Sequence, residues 1–319
     1  MPVAWIDGTK GPPESPAKGT SDAHPQHTPA LASLEEAITL LFCLVDDAYA
    51  LLNPRWRSHE SLKKLSDSEV LTLALFQQLR GVQSERSFLR DAERFFSHLF
   101  PGVLGLAPSS FHRRVRRLRG FLEPLRRSVL PDLVGDPETL IVDSTLLPVL
   151  HPRQVKQSAA GFEGAAWAVW GSFAVYGVKL HLVCSTNRVP VSYELTAANV
   201  ADVLLVRELL AGADLEEGTV ARRLLGDLAY RSATLGEELA EAGVKLAAER
   251  ADRRPAVRQQ VEVCFASLKR VFGLGETTLA KTLAGLVTRI ATKVTAYTYG
   301  LYLNRFFGRP QGRIKELWA

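Results

Sequence analysis

The sequence predicts an α/β protein with an all-α region in front of it, and three observations carry that reading. Helical periodicity runs from Leu31 to about residue 130. After Gly135 the texture changes to β-rich runs enriched in Val, Tyr and Leu. Further on, short strands alternate with helices, the order of a layer structure in which helices flank a mixed sheet. Composition agrees: of 319 residues, 46% are hydrophobic and 23% charged, which excludes disordered, collagen-like and coiled-coil classes.

Residues 1–30 are rich in Pro, Gly, Ser and Thr with little to bury, and read as a flexible tail. Four helical stretches follow: LASLEEAITLLFCLVDDAYALL, SDSEVLTLALFQQLRG, SERSFLRDAERFFSHLF and SSFHRRVRRLRGFLEPLRR. Ser66 and Glu69 have capping-box spacing at the start of the second, Gly81 follows it, and Pro101 closes the third. Three strands come next, in LIVDSTLLPVL, SFAVYGVKLHLVCST and PVSYELT. ADVLLVRELLAG then reads as a helix, ARRLLGDL as a short buried strand, TLGEELAEAG as a helix and VKLAAE as a strand. RPAVRQQVEVCFASLKRVFG is the helix after the last strand. LAGLVTRIATKVTAYTYGLYLNRFF is a long apolar helix, interrupted by Arg289 and Lys293, expected to pack on the sheet. Three leading strands followed by helix, strand, helix, strand, helix is the order of a ribonuclease-H-like fold. The expected division is a tail at 1–30, a helical DNA-binding domain at 31–135 and a ribonuclease-H-like catalytic domain with its C-terminal helix at 136–319.

The formal net charge is +5 and the pI near 9.1, which suits a polyanionic partner and equally a simple solubility surplus. Three cysteines without CxxC or Cys/His ligand spacing point to a reducing compartment. Neither a signal peptide nor an apolar run of membrane-spanning length is visible, so a cytoplasmic protein without membrane contact is expected.

The chemistry is carried by carboxylates. Asp143 in LIVDST ends an apolar run, so a strand delivers its carboxylate to a sheet edge; Asp227 in RRLLGDLAY repeats the arrangement. Either acid alone also reads as a turn cap. Glu262 lies on a helix whose Val261, Phe265 and Leu268 bury one face, while Arg258, Glu262 and Lys269, at i, i+4 and i+11, share a narrow sector. By itself the Arg258–Glu262 spacing is also that of a surface ion pair. Three carboxylates converging on one edge repel one another unless a cation lies between them. Oxygen ligands favour Mg²⁺ or Mn²⁺, and two such ions per site can activate the attacking oxygen and stabilise the leaving oxygen of a phosphodiester displacement.

VDST, YGVKLHLV, VPVSYELTAANVADV, GDLAY and RQQVEVCFASLKRVFG together resemble the DDE transposases of bacterial insertion sequences, over roughly residues 138–300. Leu228 and Pro255 stand where such sequences usually have a basic residue and a tyrosine. The resemblance implies Asp143, Asp227 and Glu262 as catalytic metal ligands, with Arg258 and Lys269 on DNA phosphates or terminal bases. It implies double-stranded DNA, element ends and target, as partner and substrate: cleavage at each end followed by transfer of the 3′ hydroxyl, by a homodimer on DNA.

End recognition is expected from the Arg-dense segment with Arg113, Arg114, Arg116, Arg117 and Arg119, whose Phe111, Val115 and Leu118 pack inward. Lys179 and His181 alternate on one strand face, for phosphate contact or cross-strand pairing. Trp167 and Trp170 stack on unpaired bases or anchor a loop. Two rival functions remain open at this stage: a ribonuclease-H-like nuclease without strand transfer, and a non-catalytic transposase-derived DNA-binding protein.

Overall fold

The computed structural model describes residues 33–52, 62–134, 138–157, 161–213, 222–248, 255–275 and 280–318. The tail expected at 1–30 lies outside the described residues.

Helix α1 (Leu34–Leu52) buries Ile38, Leu41, Val45 and Tyr49 along one stripe, the period of an amphipathic helix. Helix α2 (Asp67–Leu79) starts with the expected capping box: the Ser66 hydroxyl accepts from the Glu69 amide at 3.0 Å, and the Glu69 carboxylate accepts from the Ser66 amide. Helix α3 (Glu85–Phe96) buries Phe88, Leu89, Ala92 and Phe96. The Arg-dense segment forms two helices, α4 (Pro108–Arg117) and α5 (Arg119–Ser128), parted at Leu118. Gly120, with its low helix propensity, disfavours one continuous helix there. A short α6 (Leu130–Val134) leads to the sheet.

Next in the chain come β1 (Thr139–Pro148), α7 (Pro152–Gln157), β2 (Ala166–Trp170), β3 (Phe173–Ser185) and β4 (Pro190–Ala197). After them lie α8 (Val206–Ala211), β5 (Arg223–Gly226), α9 (Ala233–Glu241), β6 (Lys245–Ala248), α10 (Pro255–Arg270) and α11 (Leu283–Phe306). The six-stranded sheet has the order β2-β3-β1-β5-β6, with β4 also on β3. β1, β3 and β4 are antiparallel neighbours, whereas β1, β5 and β6 run parallel, as in the predicted ribonuclease-H-like arrangement.

Two expectations change. Trp167 and Trp170 belong to a strand, not a loop: β2 pairs antiparallel with Phe173–Gly177 of β3 and turns through Gly171 and Ser172. Gly171 has φ +60°, as the first central residue of a two-residue hairpin of that kind requires. Helix α11 packs chiefly on α2 and α5 and meets the sheet through β4. It is buried on nearly every side, and its threonines return hydrogen bonds to main chain: Thr288 to Ala284, Thr292 to Thr288, Thr298 to Val294, and Thr295 across to Leu122. One continuous apolar core therefore joins α1–α5, α10, α11 and one face of the sheet. A smaller core of Leu140, Val142, Val183, Val191, Leu209, Leu224 and Leu235 lies on the opposite face, under α8 and α9. No helix among the described residues is long and apolar enough to cross a membrane.

Candidate active site

Side chains alternate across a strand, so β1 sends Ile141, Asp143 and Thr145 to one face and Val142 and Ser144 to the other. Ile141 and Leu225 are paired in the parallel β1/β5 ladder. Asp143 and Asp227 each stand two residues past that pair, which brings the strand acids side by side across a spacing of about 4.8 Å between chains. Asp143 accepts from the Ser144 amide at 2.8 Å. Asp227 caps a 3₁₀ turn, Leu228–Tyr230, by accepting from the Ala229 amide at 2.9 Å.

Helix α10 lies across β1 and β3 on the face of Asp143, held by buried Val261, Cys264, Phe265 and Leu268. Arg258 approaches Asp227, Nη2 to Oδ2 3.8 Å. Eleven residues on, about 16 Å along the axis, the Lys269 ammonium donates to Thr145 Oγ1 at 2.6 Å. Glu262 lies between them, exposed, with no hydrogen bond or ion pair among the described residues. The three sequence-predicted acids thus share one region. Burial pushes the Asp143 carboxyl up to about 6; the charges of Asp227 and Glu262 add to the rise, while the Ser144 amide and Arg258 oppose it. Burial lowers the Lys269 ammonium, and Asp143 works the other way.

The donor set fits a hard divalent cation, being all carboxylate oxygen around a carboxyl already strained by its like-charged neighbours. Among the described residues no three His, Cys, Asp or Glu groups already converge to metal-holding distance.

Of the expected DNA contacts, Arg113, Arg116, Arg117 and Arg119 are exposed. Arg114 turns inward, bonding the Leu65 carbonyl at 2.7 Å and Asp67 at 2.5 Å, so it pins α4 to the start of α2. Lys179 also turns inward: its ammonium lies 3.1 Å from Asp202 and donates to the Val200 carbonyl at 2.8 Å. His181 is fully buried, Nε2 2.9 Å from Thr196 Oγ1 and Nδ1 3.4 Å from Asp202. Burial drives this imidazole down to about 4, against the pull of Asp202, so it is neutral at pH 7.

Asp202 is the acid that sequence reasoning passed over. It opens the 3₁₀ turn Asp202–Leu205, where an acid in a first helical turn looks like routine capping. Its signal was membership of the VPVSYELTAANVADV stretch that carries the family resemblance.

Residues 134–299, more than half of the chain, match the family described as a transposase DDE domain. Two solved structures are similar. The pre-cleavage Mos1 transpososome is 10% identical, with 80% of this chain and 75% of that one covered and a TM-score of 0.31. The Mos1 mariner paired end complex with Mn is 12% identical, with 89% and 94% covered and a TM-score of 0.30. No curated protein matches the sequence.

Proposed function

The chain belongs to the transposase DDE-domain family, and from that premise we propose that Asp143, Asp227 and Glu262 hold a pair of Mg²⁺ or Mn²⁺ ions and cleave DNA at the ends of a mobile element. The observation that carries this is the β1/β5 register, which sets Asp143 beside Asp227 under the helix that bears Glu262. When bound, such ions supply the charge that activates an attacking oxygen and stabilises the leaving one. Around them the chain's own groups have separate tasks. Glu262 would hold such ions as the third carboxylate. Arg258, the near neighbour of Asp227, turns to a DNA phosphate once that acid is engaged. Lys269, held by Thr145, fixes the far end of α10 and presents a cation along the same groove.

The reaction is hydrolysis of a phosphodiester to leave a 3′ hydroxyl, which then attacks a phosphodiester of target DNA. Two ends need two such sites, so two copies act together on DNA. The exposed Arg113, Arg116, Arg117 and Arg119 grip the end; Arg114 and Lys179, engaged inside the protein, do not.

The test is cleavage of a labelled duplex carrying the element end, with Mg²⁺ or with EDTA, by wild type and Glu262→Gln. Metal-dependent nicking that is lost at least 100-fold in the variant is expected. Adding target DNA then reads joining. Wild type that binds the end in Mg²⁺ without nicking it defeats the catalytic reading.

A further inference from the structure

On the side of the sheet opposite α10, a second set of polar groups backs the two strand acids. Tyr230 is buried and packs against Gly226, the residue before Asp227: a Cβ there would stand 2.9 Å from Tyr230 Cδ2 and 3.0 Å from Cγ. Its hydroxyl is buried without a hydrogen-bond partner among the described residues, with Ser144, the residue after Asp143, and the carboxylate of Asp202 as its polar neighbours. Asp202 is in turn fixed by Lys179 at 3.1 Å and sits 3.4 Å from His181, both on β3, while its 3₁₀ turn packs on the turn that Asp227 caps. One side chain therefore packs on the segment of Asp227 with Ser144 of the Asp143 strand near its hydroxyl, and one ion pair anchors that side chain's surroundings to the neighbouring strand.

We infer that Tyr230 and Asp202 are positioning residues that set the separation of Asp143 and Asp227, and so the fit of the cation site. The inference rests on the proposed metal-holding role of those acids. Burial together with Asp202, Asp143 and Asp227 raises the phenol above its ordinary range, so the hydroxyl stays neutral. Asp202 lies on the face away from Glu262 and needs no part in binding DNA. Residues that orient metal ligands typically govern affinity by about 10- to 100-fold; these two act through the neighbouring residues rather than through a bond to the carboxylates.

The experiment measures Mn²⁺ binding to the full chain without DNA, by the electron spin resonance of free Mn²⁺. The proteins are wild type, Tyr230→Phe, Asp202→Asn and Arg207→Ala, the last a control in an exposed ion pair with Glu238. Melting temperatures of all four are recorded. Expected are Mn²⁺ affinities about 10-fold weaker for Tyr230→Phe and Asp202→Asn, with Arg207→Ala at the wild-type value. Should Asp202→Asn fail to fold, Tyr230→Phe, which keeps the ring on Gly226, decides alone. Wild-type affinity in folded Tyr230→Phe and Asp202→Asn overturns the positioning role and leaves the metal site standing. Absence of Mn²⁺ binding by wild type overturns the site itself, and the inference with it.

Discussion

At the scale of single residues, Asp143 has the clearest measurable consequence. Its carboxyl binds a proton more tightly when folded, at about 6 against an ordinary value of 3.8. A folded pKa raised in this way favours the folded state at low pH, and the advantage disappears as pH rises through about 6. In EDTA, wild type should therefore lose roughly 2 kcal/mol between pH 4 and pH 7 relative to Asp143→Asn, whose side chain does not titrate. Urea unfolding of both proteins at the two pH values checks this; equal pH dependence would contradict it. The sequence showed acids closing two apolar runs, and Asp143 and Asp227 were legible for that reason, although Asp143 stands in mid-strand because β1 continues to Pro148. It could not show that Arg114 and Lys179 point inward, because the partners that turn them, Asp67 and Asp202, are 47 and 23 residues away. A charge count along a helix or strand treats every arginine or lysine as surface.

Arg126 makes the same point at the scale of elements. It belongs to the Arg-dense stretch, yet it is fully buried, joining α5 to β4. Its guanidinium donates to the Pro190 carbonyl, to the Val191 carbonyl at 2.7 Å and to Glu123 at 2.8 Å, and lies over the Tyr193 ring. Arg126→Leu leaves two buried carbonyls without donors, so a loss of roughly 2–4 kcal/mol is expected in urea unfolding. A loss below 0.5 kcal/mol would show that water or a local shift replaces the arginine. Helix types and strand order could be read ahead because hydrophobic period, capping and turn residues are local. Helix α11 shows where locality ends: a helix apolar on all sides must be buried, but its sequence does not say whether helices or a sheet will cover it. Hairpin β2–β3 was missed although Gly171-Ser172 between two apolar runs is a hairpin signal; the paired tryptophans drew the reading toward a loop.

Over the whole molecule, the helical region and the sheet are not two separately cored bodies side by side, since α11 and α10 carry one apolar core from α1 to β3. The acids sit where that core meets the smaller one, and each acid's strand is braced from both faces. The tip of the hairpin stands clear of both cores, which reach it only at its base through Tyr176 and Val178. Residues 164–178 contain no charged side chain, and Val169 and Phe173 are 77% and 74% exposed. Among the described residues, β2 pairs only with β3, so its outer row of amides and carbonyls has no strand beside it. Monomeric proteins usually guard such an edge with lysine, proline or a bulge. Here the guard is missing, and the consequence is practical: the chain should scatter light increasingly with concentration in DNA-free buffer, and Val169→Lys should reduce that scattering while leaving the melting temperature unchanged. Equal scattering by the two proteins would place the self-association elsewhere on the surface.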